Sequence, residues 1–161
     1  MNLFSLTCEY AFRALAHLAS DDEDTAVLGR DLAERANVPA SYLSKILLTL
    51  KRGGIVEATR GTGGGYRLAR PAAEIALAEI TELLDPPRSP GSCFLGGGRL
   101  CSNDDPCPGH QGWRCVQEAY LAFIRETTLA QLGHQSTTAK SLGGAGESLR
   151  RVHPPTPRRQ G

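Results

Sequence analysis

Three cysteines and one histidine stand close together in the middle of this 161-residue chain. Cys93 is followed after seven residues by Cys101, after five more by Cys107, and after two more by His110. Glycines and prolines between them allow the segment to fold back, so that several sulfur atoms can point at one centre. Thiolates and imidazoles are the ligands of structural zinc and of iron–sulfur clusters. The segment therefore predicts a metal centre held in a loop.

The spacing leaves the kind of centre open. Zinc fits the donor set, and the pattern is close to RNA-binding zinc fingers of the Cys-Cys-Cys-His type, although two gaps are one residue short and no aromatic residues are interleaved. Thiols that oxidise to a disulfide are a further alternative, whereas a permanent disulfide is disfavoured in a reducing cytosol. Cys8 and Cys115 fall in predicted helices, where each is expected as a small packing residue but stays open as a ligand or redox partner.

The charge distribution indicates where an acidic partner would bind. The net charge is only +1, so bulk charge decides nothing. Residues 30–70 carry +5, however, whereas residues 1–29 and 71–110 carry −4 each. A compact basic segment predicts a surface that faces phosphates, with a solvated basic face as the plainer interpretation.

Apolar spacing in the first third of the chain predicts three helices. They are a helix capped by Thr7 that runs to about Ala19, a helix over residues 27–36, and a helix from about residue 41 to Arg52. In the second helix, Leu28 and Leu32 are expected to point inward. The third helix has an apolar stripe at Leu43, Ile46, Leu47 and Leu50. Two short helices joined by a turn, with a polar free face on the second, indicate a helix-turn-helix.

A β-hairpin is predicted directly after these helices. Residues 55–57 and 66–68 are two short strands, and the glycine-rich segment 60–65 (RGTGGG) is the turn between them. A phosphate-binding loop would need Gly-Lys-Ser/Thr after the glycines, and a dinucleotide fingerprint would need glycine at Tyr66. We find no other catalytic motif in the chain, so an enzyme is disfavoured. A hairpin after a helix-turn-helix is typical of the wing of a winged helix.

Two more helices are predicted towards the carboxyl terminus. One covers residues 72–85, with Ile80, Leu83 and Leu84 apolar, and a long one covers residues 111–132. The long helix has a seam of Trp113, Val116, Tyr120, Phe123 and Thr127, spaced alternately by three and four. This seam is typical of a helix that packs along another helix, either in the same subunit or in a second copy.

Four features together resemble the IscR/NsrR family of winged-helix regulators, also called the Rrf2 family. They are the runs Val38–Leu43 (VPASYL) and Arg60–Ala69 (RGTGGGYRLA), the three loop cysteines, and Thr127-Thr128-Leu129. The resemblance covers residues 1 to about 132. It implies a homodimer whose long helices cross, and transcription control that depends on an iron–sulfur cluster, with 2Fe-2S favoured over 4Fe-4S.

The resemblance also implies which residues bind the cluster. Cys93, Cys101 and Cys107 are three ligands, and the fourth has three candidates. His110 matches the histidine of IscR-like members and ranks first. Glu9, which precedes Tyr10-Ala11, matches the carboxylate of NsrR-like members and ranks second, followed by Cys8.

We therefore predict a mainly α protein with a small β-hairpin wing, acting as a DNA-binding transcriptional regulator, expected to be a cytoplasmic repressor and not an enzyme. The predicted parts are a winged helix-turn-helix (1–85), a cysteine-rich loop (86–110), a dimerisation helix (111–132) and a disordered tail (133–161). No window approaches the roughly 18 apolar residues of a membrane span. A dimer would read half-sites about 34–36 Å apart on double-stranded DNA. The expected DNA contacts are Ser41, Tyr42, Ser44, Lys45, Lys51, Arg52 and Arg60.

Overall fold

Six α-helices and one β-hairpin form the part of the chain that the structure, a computed structural model, describes: residues 3–21, 25–61, 64–86, 93, 102–104 and 106–133. The helices are α1 (Leu6–Ser20), α2 (Gly29–Ala36), α3 (Ala40–Arg52), α4 (Leu77–Leu84), α5 (His110–Glu126) and α6 (Leu129–Gly133). The strands are β1 (Val56–Thr59) and β2 (Gly65–Leu68), and a short 3-10 helix covers Ala72–Glu74. The predicted fold class, mainly α with a hairpin wing, is confirmed.

Helix α1 lies at the centre and packs against α2, α3, α4 and α6. Its apolar residues Ala11, Leu15 and Leu18, which recur at helical spacing, are buried. The predicted cap is wrong, because the helix is capped by Ser5, whose hydroxyl accepts a hydrogen bond from the backbone N–H of Cys8 at 3.3 Å. Thr7 lies inside the helix, and its hydroxyl bonds the Tyr42 hydroxyl at 2.9 Å.

Helix α2 begins two residues later than predicted. Val27 is extended, because its N–H and carbonyl pair with the backbone of Tyr66 at 2.9 and 2.8 Å and so join the wing to the helix-turn-helix. Leu28 becomes the residue before the helix and is 49% exposed, so the prediction that it points inward is wrong. Leu32 is fully buried, as predicted, and α2 ends at Asn37 in the left-handed conformation (φ 51°).

Helix α3 buries the predicted stripe of Leu43, Ile46, Leu47 and Leu50. The wing follows at once. Its strands β1 and β2 pair antiparallel, with Val56 opposite Leu68 and Thr59 opposite Gly65. The helix-turn-helix and its wing are thus held as one unit.

Both helices predicted in the second half of the chain are divided, and one contact explains both breaks. Ala76 and Thr128 form an antiparallel β-bridge, and the Leu77 N–H donates to the Thr127 carbonyl at 3.0 Å. Residues at this bridge must be extended and cannot be helical. The predicted helix 72–85 therefore becomes a 3-10 turn followed by α4, and the predicted helix 111–132 becomes α5 and α6.

The remaining sequence expectations concern the tail and the membrane. Of the tail, only Gly133 is described, as the last residue of α6; residues 134–161 lie outside the described residues. Within the ranges given above, no helix combines the length and the apolar character needed to cross a bilayer.

Candidate metal centre and nucleic-acid interface

Two loop cysteines, Cys93 and Cys107, lie close together among the described residues. The Sγ atoms of Cys93 and Cys107 are 3.6 Å apart, and both residues are buried. This distance is far longer than the roughly 2.05 Å of a disulfide bond. Two thiolates that share one tetrahedral metal ion, with bonds of about 2.3 Å, lie about 3.8 Å apart. The pair therefore fits ligation of a common metal ion and is also close enough for oxidation to a disulfide after a small approach.

His110 begins α5 next to this pair. Its backbone N–H donates to the carbonyl of Cys107 at 2.9 Å. On the ring, Nε2 lies 3.0 Å from Oδ1 of Asn103, whereas Nδ1 is buried without a hydrogen-bond partner among the described residues. A buried polar atom without a partner costs free energy, and a bound metal would remove that cost. The donor set of thiols and an imidazole thus fits the group that the sequence predicts.

A cleft of about 630 Å³ lies over the same segment. Cys107, His110 and Asn103 contribute to its lining, and so do Arg114 and Cys115 from the second turn of α5. The Cys115 thiol is exposed. Cys107 and His110 therefore both contribute to a cleft at the protein surface.

The remaining predicted ligands are Cys101, Glu9 and Cys8. Cys101 lies outside the described residues, and within the described ones no three His, Cys, Asp or Glu side chains form a group that could hold a metal. Glu9 is half-buried on α1. Cys8 is fully buried, and this burial raises its pKa, which keeps the thiol protonated. A buried, protonated thiol is a poor ligand or nucleophile, so the structure favours packing as the role of Cys8.

The predicted DNA contacts lie on the free face of α3 and on the wing. All seven are exposed: Ser41, Tyr42, Ser44, Lys45, Lys51, Arg52 and Arg60. Four α3 side chains project within about 30° of the direction opposite the buried stripe, at 100° per residue: Ser41, Lys45, Leu48 and Arg52. The helix thus presents a row of polar and basic groups outward.

Sequence reasoning missed Leu48 as a member of this face. Its side chain is 50% exposed although it is a large apolar residue. The signal was available, because Leu48 falls outside the apolar stripe that Leu47 and Leu50 continue. Apolar side chains in the major groove contact the methyl group of thymine.

Tyr42 differs from its neighbours because it also packs within the protein. Its ring stands edge-on to Tyr10 at 5.5 Å, and its hydroxyl bonds Thr7 on α1. The residue remains 38% exposed. Tyr42 therefore fixes α3 against α1 and offers only one edge to a partner.

Comparisons with known proteins agree with this architecture. The model of the Rrf2 family, described as iron-dependent transcriptional regulators, matches residues 4–135. The HTH-type transcriptional regulator IscR of Klebsiella pneumoniae (strain 342) is 33% identical over 123 residues, which cover 76% of this chain and 74% of that protein. IscR of Escherichia coli O1:K1 / APEC is 32% identical over 123 residues, which cover 76% of this chain and 75% of that protein. These relatives are regulators and not enzymes.

Solved structures show the same fold. CymR (YrzC), the global cysteine regulator of B. subtilis, superposes with a TM-score of 0.70 at 23% identity and covers 83% of this chain and 98% of its own. T. potens IscR superposes with a TM-score of 0.66 at 23% identity, and the match covers 87% of this chain and 90% of that chain. Because the family model spans most of the sequence and the IscR relatives exceed 30% identity, this chain belongs to the Rrf2 family of transcriptional regulators.

Proposed function

We propose that this regulator binds an operator in double-stranded DNA as a homodimer, and that an iron–sulfur cluster held by Cys93, Cys101 and Cys107 controls the binding. The observation that carries the proposal is the 3.6 Å separation of the two buried Sγ atoms, at the start of α5. His110 is the fourth ligand that we favour, ahead of Glu9. When bound, such a cluster supplies a redox-active centre whose loss would be the signal.

The DNA-binding surface consists of the free face of α3 and the tip of the wing. Lys45, Lys51 and Arg52 supply charges that attract phosphates or pair with base edges. Leu48 lies in the middle of this face, and we assign it to a thymine methyl. Arg60 extends from the end of β1, from where a wing contacts the minor groove or a phosphate.

The outer face of α5 supports the homodimer. Among the 17 residues of this helix, only Ile124 is buried within the chain. Val116 and Phe123, both members of the predicted seam, are 50% and 48% exposed. A second copy of the same helix would cover them in a symmetric contact.

The connection between centre and dimer is short. The Cys107 carbonyl accepts the N–H of His110, the first residue of α5, so the loop and the helix end are hydrogen-bonded. The other end of the helix leads to Thr127, whose carbonyl accepts the Leu77 N–H of α4. A cluster that orders the cysteine loop would thus also fix the position of the first turn of α5. Through α5 it would fix where one DNA-binding unit lies relative to the unit of the second copy.

Anaerobic purification tests the proposal. The wild-type chain should be coloured and contain iron and acid-labile sulfide, and it should select a duplex from random DNA by in vitro selection. Cys93→Ser and Cys107→Ser should remove the colour and change affinity for that duplex, as measured by fluorescence anisotropy. Cys115→Ser, the matched control on the rim of the same cleft, should change neither.

A thiol switch is the second candidate, and the same 3.6 Å contact favours it. Oxidation would join Cys93 to Cys107 and leave Cys101 outside the bond. In that case the purified chain would be colourless, and reconstitution with iron and sulfide would add no visible absorption. Diamide would change its DNA affinity and dithiothreitol would restore it. One zinc ion per chain with no response to diamide would instead indicate a structural zinc site.

A further inference from the structure

Three side chains form a hydrogen-bonded chain that ends on the His110 ring. Oδ1 of Asn103 lies 3.0 Å from Nε2 of His110 and 3.1 Å from Nη1 of Arg114. Arg114 in turn donates from Nη2 to a carboxylate oxygen of Glu118 at 3.0 Å. His110, Arg114 and Glu118 are spaced by four residues along α5, so they lie on one face of this helix. Asn103 approaches that face from the loop.

This chain determines which ring nitrogen carries the proton. Arginine has donors only, so the Asn103 atom that it contacts must be the amide oxygen. An amide oxygen accepts hydrogen bonds, and therefore Nε2 of His110 must be the donor. In a neutral imidazole the lone pair is then on Nδ1, the atom that is buried without a partner among the described residues. A protonated ring would leave a buried N–H at the same place, also without a partner.

We propose that His110 binds the metal centre through Nδ1, and that Asn103 and Arg114 are positioning residues that hold the ring in this tautomer. The inference rests on the proposed function. A ligating histidine commonly donates its second ring N–H to an oxygen, which fixes the ring orientation and raises its basicity. Here Asn103 is that oxygen, and Arg114, anchored by Glu118, keeps the amide from turning over.

Substitution of Asn103 tests the positioning role. Asn103→Leu keeps the size of the side chain but removes the acceptor, whereas Asn103→Asp keeps an oxygen that can accept from both His110 and Arg114. After anaerobic reconstitution, the rate at which a chelator bleaches the cluster should rise about 10-fold in Asn103→Leu. It should stay near the wild-type rate in Asn103→Asp. Arg125→Gln, an exposed arginine at the far end of α5, is the control and should leave the rate unchanged.

Isotope labelling tests the ligating atom directly. Histidine labelled with ¹⁵N at Nδ1 only, or at Nε2 only, is incorporated into the wild-type chain, and the reduced cluster is measured by pulsed electron paramagnetic resonance. We expect strong nitrogen coupling from the Nδ1 label and weak coupling from the Nε2 label. In Asn103→Leu the strong coupling should decrease or spread over both nitrogens.

The outcomes separate this inference from the proposed function. Strong coupling from Nε2, or no histidine coupling in a cluster that is otherwise intact, would overturn the inference and leave the cluster proposal standing. Equal bleaching rates in wild type and Asn103→Leu would overturn the positioning role. A wild-type chain that takes up neither iron nor sulfide would overturn both proposals.

Discussion

At the scale of single residues, the outward face of α3 combines two kinds of recognition group. In the proposed interface with DNA, charged side chains such as Lys45 and Arg52 would interact with phosphates through Coulomb attraction, which salt screens. Leu48 carries no charge and can contribute only by burying apolar surface. The free energy of that burial changes little over the salt concentrations used in such a titration. The two contributions can therefore be separated by measuring affinity against salt concentration.

We expect Arg60→Ala and Leu48→Ala to weaken operator binding in different ways. Arg60→Ala should reduce the slope of log K against log salt by about 2, because each of the two copies loses one phosphate contact. Leu48→Ala should leave the slope unchanged and lower affinity about 15-fold, the equivalent of roughly one buried methyl group of about 0.8 kcal/mol in each of the two copies. Fluorescence anisotropy on the selected duplex over a range of salt concentrations measures both quantities.

The same contact can be tested from the DNA side by replacing thymine with uracil, which lacks the methyl group. In the wild type, one such replacement within each half-site should lower affinity about 15-fold, as Leu48→Ala does, and in Leu48→Ala it should cause no further loss. A scan of all thymines with no effect on the wild type would contradict the role of Leu48. Arg125→Ala, which removes an exposed charge far from α3, should leave the slope as it is.

At the scale of elements, the wing depends on a close approach that only glycine permits. A Cβ on Gly65 would lie 2.5 Å from the Val27 carbonyl oxygen, a backbone atom that cannot move aside cheaply. The same place holds the two backbone hydrogen bonds between Val27 and Tyr66. The wing is therefore joined to the helix-turn-helix only as long as residue 65 has no side chain.

Gly65→Ala should lower the free energy of unfolding by about 1–3 kcal/mol, since it disrupts two hydrogen bonds of about 0.5–1.5 kcal/mol each. Gly112→Ala is the matched control, because a Cβ there meets nothing within 4 Å and lies on an exposed turn of α5. It should raise stability by about 0.5–1 kcal/mol through helix propensity. Urea unfolding followed by circular dichroism measures both. Equal effects of the two substitutions would refute the account of the wing.

The contact between α1 and α2 should depend on pH through His17. Burial lowers the pKa of His17, and the nearby Arg35, paired with Asp21, lowers it further. The folded state thus favours the neutral ring. The stabilisation is complete above the unfolded pKa of about 6.5 and is lost as pH falls from there through the lower folded pKa.

We therefore expect the free energy of unfolding to rise with pH below about 6.5 more steeply in the wild type than in His17→Gln. Above pH 7 the two curves should run parallel. Urea titrations at half-unit pH steps give the two slopes. A variant slope as steep as that of the wild type would show that His17 does not contribute.

The elements differ in how much of them the sequence predicts. The buried stripe of α3 follows from local apolar periodicity, which survives in the fold because one face of the helix meets the core. The two helix breaks at Ala76 and Thr128 depend on a bridge between residues 52 positions apart, and no local pattern contains that information. Leu48 was missed for another reason: it lies outside the predicted apolar stripe, but only polar, basic and tyrosine side chains of α3 were considered as DNA contacts.

The candidate centre is likewise only partly predictable from the sequence. The cysteine and histidine spacing predicts donors of the right chemistry, but the approach of Cys93 to Cys107 is a property of the folded loop. Asn103 gave no signal in the sequence, because its role exists only once α5 brings His110 and Arg114 to the same amide oxygen.

At the scale of the whole molecule, apolar surface is left uncovered on one side. Phe4 packs against Tyr120 and Phe123 of α5, with ring centroids 5.6 and 6.4 Å apart, and so brings the amino-terminal segment beside that helix. Leu3 and Leu6 flank Phe4 in sequence and are exposed, as are Val116 and Phe123. Several exposed large apolar side chains on this helix and on the segment beside it are typical of an interface. A second copy of the chain is the partner that we propose for it.

Val116→Glu should therefore convert the dimer into a monomer. The substitution loses about 1.5 kcal/mol of apolar burial per copy and about 3 kcal/mol per dimer, which weakens dimerisation about 100-fold or more. Because a dimer reads two half-sites and a monomer one, operator affinity should fall with it. Sedimentation equilibrium measures the assembly state, and circular dichroism shows whether the helices remain.

Leu28→Gln, an exposed leucine beside α2, is the control and should stay dimeric. If the Val116→Glu chain remains folded and dimeric at micromolar concentration, the contact between copies must lie on another face. In that case α5 would not couple the cysteine loop to DNA binding.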